Sequence, residues 1–285
     1  NLRERGEQIV KRILAGESCA VVTDAGMPCI SDPGEDLVRL CAENGVDIKV
    51  IPGPSAAISA LAVSGLDTSR FVFEGFLNPQ KNARLERLEQ YAQWGVRMGM
   101  LTWNEENLLA CGAGGNPDRG LTELGREAVR RMQRLNILPD VSHTSDRSFW
   151  DIMDLAEGPV IASHSNCRAL CDVRRNLTDE QLRAIRDTGG VVGVNVSHDF
   201  VHKEPRQQTA AMLARHAAHM AEVMGPEHVA CGFDFCEYFG PGYEGCEGME
   251  DCGQAQNFFF ELERIGFSEA ERQAIASENL LRVLE

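Results

Sequence analysis

Short apolar segments alternate with helical segments along most of the chain, and this alternation limits the folds that are open to it. From residue 96 onward, five segments have the apolar, often β-branched residues of buried strands: VRMGMLTW, NILPDVSH, GPVIASH, VVGVNVS and HVACGFD. A segment with helical spacing follows each of them, for example LTELGREAVRRMQRL and TAAMLARHAAHMAEVMG. Strands separated by single helices pair in parallel, so an α/β fold is predicted.

Three of these strand segments end in a side chain that can bind a metal. His143 and His164 end two of them, and Asp234 ends a third. Five β/α units make up five eighths of a TIM-like (β/α)8 barrel, in which the carboxyl ends of the strands meet on one face and carry the chemistry. One strand-end histidine alone is better explained as a residue bonded to nearby backbone. Three residues that can bind a metal, each at the end of a different strand, favour a metal site.

The segment before residue 86 shows the same alternation. Residues 2–16 and EDLVRLCAENG have helical spacing, and both end at a glycine. SCAVVTDAG, VDIKVIPGP and RFVFEGF have strand composition. We therefore expect a βαβ fragment of a second sheet here, in which Gly26, Pro28, Pro33 and Gly34 form sharp turns at a strand end where a ligand can approach the main chain.

The charge and composition limit the binding partners and the cellular compartment that we expect for this chain. The formal net charge of −15 argues against nonspecific binding to nucleic acid or to an anionic membrane, and no apolar run has the length of a membrane span. Ten cysteines form no CxxC pair, and several lie within apolar runs, so we expect reduced thiols and a cytoplasmic setting. The spacing of Cys246 and Cys252 leaves a disulfide between those two open.

Residues of about 88–285 resemble the membrane (renal) dipeptidase family of zinc peptidases. The resemblance rests on GVRMGMLTWNEENLLACGAGGNPDRGLTELGREAVRRM, DVSHTSDRSFWDI, IASHSNCRALCDVRRNLTDEQLRAI, GGVVGVNVS, CGFDF and ENLLRVLE. It implies a barrel hydrolase of short peptides with two zinc ions, which a carboxylate and a water or hydroxide bridge.

The same resemblance implies roles for four residues. His143 and His164 would hold one zinc ion, and Asp234 would bind the other and hydrogen-bond the nucleophilic water. Arg175 matches the arginine that binds the carboxylate of the substrate, although on sequence alone a solvated charge at a helix start is the simpler reading. Two metals can lower the pKa of a shared water and polarise the scissile carbonyl, and a guanidinium suits a free carboxylate.

The chain departs from the pattern of that family. The first strand of the family ends in a His-x-Asp pair and the third in the bridging glutamate, but no histidine precedes His143 here. Trp103 occupies a position where many members carry histidine. We therefore expect one zinc ion or none, and weak or absent dipeptidase activity, because the ligands that complete and join the two metals are missing.

Residues of about 1–85 resemble a different family, the tetrapyrrole methylases, and within it the subgroup that 2′-O-methylates a cytidine ribose in ribosomal RNA. VVTDAGMPCISDPG, VIPGPSAAISALAVSGL and RFVFEGFL carry this resemblance. It implies binding of S-adenosylmethionine near two loops, with these candidate residues: Asp24, Gly26, Pro28, Ser31, Pro52 and Ser55. The opening Gly/Pro loop, an acidic motif and the second half of that family are absent from the sequence.

We therefore predict two partial domains, a methylase-like segment at 1–85 and a dipeptidase-like barrel segment at 86–285. The change falls near 80–92 within a charged helical stretch without a linker, which favours a chimera over a natural fusion of whole domains. Two alternatives stay open. The three early strands could complete one barrel, with Asp24 and Glu74 as substitute ligands, or the chain could be a composite without function, with exposed strand edges. The oligomeric state is left open, a homodimer included.

Overall fold

The computed structural model of the chain describes residues 2–21, 35–49, 81–239 and 242–285. The chain divides into two compact units, Asn1–Arg84 and Leu85–Glu285. In the described ranges, no helix has both the length and the apolar character needed to cross a bilayer.

The first unit contains two helices that pack against each other. Helix α1 spans Leu2–Leu14 and helix α2 spans Glu35–Glu43. Gly6 of α1 lies so close to Leu40 of α2 that an added Cβ would stand 2.8 Å from the leucine Cδ1. Gly16 and Gly45 follow the two helices with φ of 101° and 68°, the left-handed conformation that ends a helix at glycine. Both helices and their glycine ends confirm the prediction.

The strands predicted in the first 85 residues have a different outcome. Residues 18–21 and 46–49 are the described parts of two of them, and they belong to no helix or strand. Among the described residues no strand pairs with these two short pieces, so the predicted sheet of this segment stays a prediction. The rest of these two strands and all of RFVFEGF lie outside the described residues.

The second unit alternates strands and helices. Helix α3 spans Lys81–Gln93, across the division between the units, and matches the predicted charged helix. The elements that follow are strand β1 (Met98–Met100), helix α4 (Glu123–Arg134), strand β2 (Leu138–Asp140), helix α5 (Asp146–Met153), helix α6 (Asp179–Asp187), strand β3 (Val192–Asn195), the short helix α7 (His198–Val201), helix α8 (Ala210–Met224), strand β4 (Val229–Phe233), helix α9 (Gln256–Arg264), helix α10 (Glu269–Gln273), a π-helical turn (Ala274–Glu278) and helix α11 (Asn279–Leu284).

The strands of the second unit form one parallel array in chain order. β1 pairs with β2, and β3 pairs with β4, both in parallel. Single bridges from Ile161 to Asp140 and from Ala162 to Val192 insert a third segment between the two pairs. The array therefore contains all five segments that the sequence predicts, although the GPVIASH segment makes only isolated bridges. The α/β class is confirmed.

Helices cover the array through a continuous apolar core. Several helices begin at a side-chain cap, including Thr122, Ser145, Thr178 and Thr209, each of which accepts a hydrogen bond from a backbone N–H of the first turn. The largest fully buried apolar side chains come mainly from the helices, with Ile161 from the bridging third segment and Met249 from a loop: Phe149, Ile152, Ile161, Leu182, Ile185, Leu213, Met220, Met249, Phe258, Leu262 and Ile275. This core holds the carboxyl ends of the strands in place.

Candidate metal centre

Two of the three candidate ligands, His143 and Asp234, stand at strand ends where the backbone is in an uncommon conformation. His143 has φ of 68° and Asp234 has φ of 65°, and Phe233, next to Asp234, has φ of 41°. Non-glycine residues in this left-handed region cost roughly 1–3 kcal/mol each, and such residues cluster at functional sites. The strained residues redirect the chain after β2 and β4. No signal in the sequence identifies this conformation.

Two glycines let the sheet curl tightly enough to bring distant strands together. A Cβ on Gly193 of β3 would stand 2.2 Å from the Ser163 carbonyl oxygen, and a Cβ on Gly232 of β4 would stand 2.0 Å from the same atom. No side chain fits at these distances. The backbone before His164 therefore approaches β4 across β3, and His164 and Asp234 become neighbours. The sequence analysis missed both glycines, although each interrupts an otherwise apolar strand pattern.

His143 is buried, and one ring nitrogen already has a partner. Its Nδ1 lies 2.8 Å from Asn104 Oδ1, and the Trp103 ring lies 6.2 Å away between centroids. Burial lowers the pKa of His143 to about 3, and the positive Arg175 and nearby His164 add to the shift. The imidazole is therefore neutral at neutral pH. Since Nδ1 is held by the amide oxygen, Nε2 is the nitrogen left for a metal.

Hydrogen bonds position His164 in a similar way to His143. Its Nδ1 lies 2.7 Å from Ser163 Oγ, and its backbone N–H donates to Ser142 Oγ at 3.0 Å. Burial lowers the pKa of His164, partly opposed by the Asp234 carboxylate, which favours the charged form. The His143 and His164 rings meet edge to face with centroids 4.8 Å apart. The two histidines predicted from separate strand ends are thus in contact.

Asp234 completes the cluster. Its Oδ2 lies 3.9 Å from His164 Nε2 and accepts a hydrogen bond of 3.2 Å from Asn195 Nδ2. Its Oδ1 lies 3.8 Å from Cys236 Sγ. The side chain is 40% exposed, so solvent or a ligand can reach the carboxylate. Asn195, which is fully buried, fixes its orientation.

Arg175 lies next to the cluster with an unusual set of partners. One guanidinium nitrogen, Nη2, donates to the His164 carbonyl at 3.3 Å, and the guanidinium carbon lies 5.2 Å from the centre of the Phe200 ring. Its Nε is buried without a hydrogen-bond acceptor. Burial lowers the pKa of Arg175 to about 10, against the opposing charges of Asp234 and Asp140. A buried cation with an unused donor can bind an anion at low cost in desolvation.

Asp140 is a supporting residue that the sequence analysis missed. It is buried at the end of β2, and its Oδ1 accepts hydrogen bonds of 3.0 Å from the backbone N–H groups of Ser142 and Ser163. One carboxylate oxygen therefore ties the strand end before His143 to the strand end before His164. The signal available in the sequence was an acidic residue within the apolar segment NILPDVSH.

The donors suit a zinc ion in kind, and one pair of them lies near the spacing of zinc ligands. Two ligands of tetrahedral zinc at about 2 Å from the metal are about 3.3 Å apart, and the 3.9 Å between His164 Nε2 and Asp234 Oδ2 exceeds this only modestly. Within the described part of the chain, no three His, Cys, Asp or Glu side chains are already arranged as a complete metal site.

The six candidate residues for S-adenosylmethionine were predicted in the first segment of the chain. Asp24, Gly26, Pro28, Ser31, Pro52 and Ser55 all lie outside the described residues, as does Glu74. The described cysteines are thiols, with Cys246 buried and Cys252 exposed, so no disulfide joins those two.

Comparisons with curated proteins find dipeptidases. An uncharacterized dipeptidase of Schizosaccharomyces pombe is 34% identical over 253 residues, which cover 86% of this chain and 59% of that protein. An uncharacterized protein of Klebsiella pneumoniae is 35% identical and is covered to 74% by the alignment, which takes in 70% of this chain. The chain thus spans about three fifths of the length of the first relative.

Solved structures of a metallopeptidase and an amidohydrolase superpose on the chain. A metallopeptidase from Rhodobacter sphaeroides, bound to a phosphinate mimic of the dipeptide L-Ala-D-Ala, superposes with a TM-score of 0.62 at 30% identity, and the match covers 70% of this chain and 58% of that one. An amidohydrolase from Pseudomonas aeruginosa superposes with a TM-score of 0.63 at 25% identity, over 70% of this chain and 67% of that one.

Two family models match the chain, and they are the two families that the motifs indicate. The tetrapyrrole (corrin/porphyrin) methylase model matches residues 1–113, and the membrane dipeptidase model, peptidase family M19, matches residues 75–285. The two matches overlap at 75–113, a range that includes the predicted change near 80–92. Since the second model covers well over half of the sequence, the chain belongs to the membrane dipeptidase family, peptidase family M19.

Proposed function

We propose that this chain is a dipeptidase-like metallohydrolase of short peptides that binds zinc through His143, His164 and Asp234. The observation that carries the proposal is the meeting of two imidazoles and one carboxylate from three separate strand ends, with ring centroids 4.8 Å apart and a 3.9 Å nitrogen–oxygen distance. Membership of a metallopeptidase family supports the same chemistry.

The surroundings of the two histidines suit metal binding. Asn104 and Ser163 hold the Nδ1 atoms, which directs each Nε2 toward the cluster. Burial lowers the pKa of both rings, so that each is neutral and can donate a lone pair at neutral pH. When bound, zinc would lower the pKa of a coordinated water and polarise a peptide carbonyl. Asp234, the half-exposed member, is placed to accept a proton from that water at a carboxylate oxygen.

Arg175 would bind the carboxylate at the end of a short peptide. Its buried Nε lacks an acceptor, and the Phe200 ring supports the guanidinium from one side. We expect Arg175→Met to weaken binding of the phosphinate mimic of L-Ala-D-Ala by roughly 10- to 100-fold, since a hydrogen bond to a charged group contributes about 1.5–3 kcal/mol. Calorimetry on the zinc-loaded chain measures this, with Arg174→Met as the neighbouring control. Equal loss in both variants would contradict the role of Arg175.

The proposed activity is weak, because the ligands that would complete a dinuclear centre are missing. No histidine precedes His143, so the His-x-Asp pair implied by the resemblance is absent. We further propose that 1–85 and 86–285 are two partial domains joined in a chimera, and that the five parallel segments of the second unit are part of a (β/α)8 barrel. Among the described strands β1 pairs with β2 alone, and its Met98 and Met100 are 39% and 46% exposed, which fits a strand at the edge of a partial barrel.

Metal content and hydrolysis together test the proposal. After chelation and reloading, we expect about one zinc ion per folded chain and slow, chelator-sensitive cleavage of L-Ala-D-Ala. His164→Ala should lose both the metal and the cleavage, and Arg183→Ala on helix α6 provides a surface control. A wild-type chain that binds no zinc would overturn the proposal. Two zinc ions with rapid cleavage would overturn the claim of impairment.

A second candidate function is binding of S-adenosylmethionine by the first segment, as part of a ribosomal RNA methyltransferase. The methylase match over residues 1–113 favours it, and the acidic charge of the chain weighs against an RNA substrate. Calorimetry with S-adenosylmethionine tests it, with Asp24→Ala as the variant expected to lose binding. If the chain binds neither zinc nor S-adenosylmethionine, it is a composite without function. For the cellular compartment, we propose the cytoplasm, where buried thiols such as Cys167 and Cys171 stay reduced.

A further inference from the structure

A large aromatic side chain stands in solvent beside the candidate metal centre. Trp103 follows β1 and is 65% exposed, and its ring lies 6.2 Å from the His143 ring between centroids. The His143 ring in turn lies 4.8 Å from the His164 ring. A single exposed apolar residue is ordinary on a protein surface. The position of Trp103 is what distinguishes it, because its neighbour is a proposed metal ligand.

The segment that carries Trp103 is held firmly although the indole is exposed. Asn104, the next residue, bonds to His143 through its side chain, and its carbonyl accepts a hydrogen bond of 2.7 Å from the Gly114 N–H. Gly112 packs so closely here that an added Cβ would stand 2.1 Å from the Trp103 carbonyl oxygen. The backbone of this segment is therefore fixed before a ligand binds. An indole on a fixed backbone has few rotatable bonds, so it covers a ligand at low cost in conformational entropy.

The charges around the indole determine which side chain of a ligand it suits. The face of an aromatic ring attracts either an apolar group or a cation. The positive charge of Arg175 acts on the neighbouring His143, and a divalent ion at the proposed centre would add to it. Both would repel a cationic side chain beside Trp103. The surroundings therefore favour an aromatic or large aliphatic side chain.

The contacts also indicate which residue of a dipeptide lies against the indole. Arg175, the proposed partner of the terminal carboxylate, donates to the His164 carbonyl. Trp103 contacts the ring of His143 instead, so the ring contacts run from Trp103 through His143 to His164. With the carboxylate at the His164 end, the amino-terminal residue of the dipeptide lies at the His143 end.

We propose that Trp103 determines substrate specificity by forming one wall of a subsite for an aromatic or large aliphatic side chain on the amino-terminal residue of a dipeptide. The inference rests on the proposed dipeptidase function and deepens it. The side chain of the first residue packs on the indole while Arg175 binds the carboxylate. Glycine or alanine in the first position leaves the indole uncovered, so such dipeptides bind more weakly.

Calorimetry on the zinc-loaded full chain tests the proposal with phosphinate mimics of L-Phe-D-Ala, L-Ala-D-Ala and L-Lys-D-Ala. We expect the wild type to bind the phenylalanine mimic roughly 3- to 10-fold more tightly than the alanine mimic, which is the contribution of an aromatic pair. Trp103→Ala should lose most of this preference, and Trp103→Phe, which keeps an aromatic ring, should retain most of it. Trp94→Ala is the matched control and should keep it, because Trp94 is 50% exposed and precedes β1, at the opposite end of the strand.

Fluorescence provides a second readout, and the outcomes separate the subsite from the site on which it rests. Covering Trp103 with the phenylalanine mimic should shift its emission to shorter wavelength, and Trp103→Phe should lack this change. Binding of the alanine mimic without a preference for phenylalanine, or a preference that survives in Trp103→Ala, would overturn the subsite and leave the proposed function intact. Tighter binding of the lysine mimic would overturn the apolar assignment. If the wild type binds none of the mimics, the proposed function fails and the subsite with it.

Discussion

The strand-end histidines His143 and His164 and the helix histidine His216 are all largely shielded from solvent, and they differ in how their ring nitrogens are bonded. His143 and His164 at the strand ends each have one ring nitrogen bonded, to Asn104 and to Ser163. His216 on helix α8 has both nitrogens bonded, since Nδ1 accepts from the Cys167 N–H at 3.0 Å and Nε2 donates to the Val201 carbonyl at 2.8 Å.

Burial lowers the pKa in both groups, to about 3 for His143 and about 4 for His216. A depressed pKa therefore does not mark a functional histidine by itself. The distinction is the second nitrogen, which at the strand ends is left for a ligand and on helix α8 joins the segment after His164 to α7. His216 is a structural residue, and the cluster is a candidate for binding.

The largest effect should come from removing the structural histidine. His216→Ala leaves a buried N–H and a buried C=O without partners and opens a cavity, so we expect the free energy of unfolding to fall by about 4 kcal/mol. Urea denaturation monitored by circular dichroism measures it. His164→Ala is the matched comparison and should cost less than half as much while abolishing zinc binding. The comparison between the groups fails if the stability losses are reversed.

The second-largest loss of stability should come from a variant that disturbs the curl of the sheet. Gly193→Ala places a Cβ 2.2 Å from the Ser163 carbonyl oxygen, so the strands must separate. We expect about 3 kcal/mol of destabilisation and loss of zinc binding, because His164 and Asp234 move apart. Gly158→Ala adds the same methyl group where nothing lies within 4 Å and should stay within about 0.5 kcal/mol of the wild type. An equal response of the two variants would show that the glycine contact is unimportant.

Acidic pH should also lower the free energy of unfolding through the structural histidine, His216. The pKa of His216 is about 4 in the folded chain, against an ordinary value of 6.5, so between these values the unfolded chain binds the proton and the folded chain does not. Stability is complete above about pH 6.5 and is lost as the pH falls toward about 4, by roughly 2 kcal/mol at pH 5 from this residue alone.

Urea midpoints at several pH values, for the wild type and for His216→Gln, isolate that contribution from the other titrating groups. The glutamine variant keeps amide hydrogen-bonding groups but cannot titrate, so the free energy of unfolding should fall less steeply below pH 6.5. If both proteins lose stability in parallel, His216 is not the group responsible.

The smallest effect should come from the residue that ties two strand ends together. Asp140→Ala removes the acceptor for two buried N–H groups and should cost about 2 kcal/mol, whereas Asp140→Asn retains an oxygen at that place and should cost about 1 kcal/mol. Both values come from urea denaturation. A larger loss for the asparagine variant would mean that the charge, rather than the acceptor, is what matters.

The sequence predicts much of the second unit and of its site. Five parallel segments appear in the predicted order, and His143, His164 and Asp234 do meet at the strand ends. Strand periodicity and the rule that parallel strands end on one face are sufficient for that result. The metal roles of these residues, like the proposed role of Arg175, stay predictions.

The missed residues share one property, which is that their effect depends on neighbours distant in sequence. Gly193 matters because Ser163 lies opposite it, and Asp140 matters because Ser142 and Ser163 both donate to it. Local patterns report burial and period, and they contain no information about such contacts. In the described part of the first 85 residues, the two helices were predictable from spacing and glycine ends, and residues 18–21 and 46–49 of two predicted strands belong to no helix or strand.

Sequence alone determined the α/β class of this protein, the two family resemblances and the identity of the candidate ligands, because periodicity and motif spacing are local properties. Tertiary structure alone decided which of the candidate donors lie close together. The glycine-permitted curl, the left-handed turns at His143 and Asp234 and the approach of Cys236 to Asp234 all arise from contacts across strands. Metal coordination depends on distances of a few tenths of an ångström, and only the packed chain sets those distances.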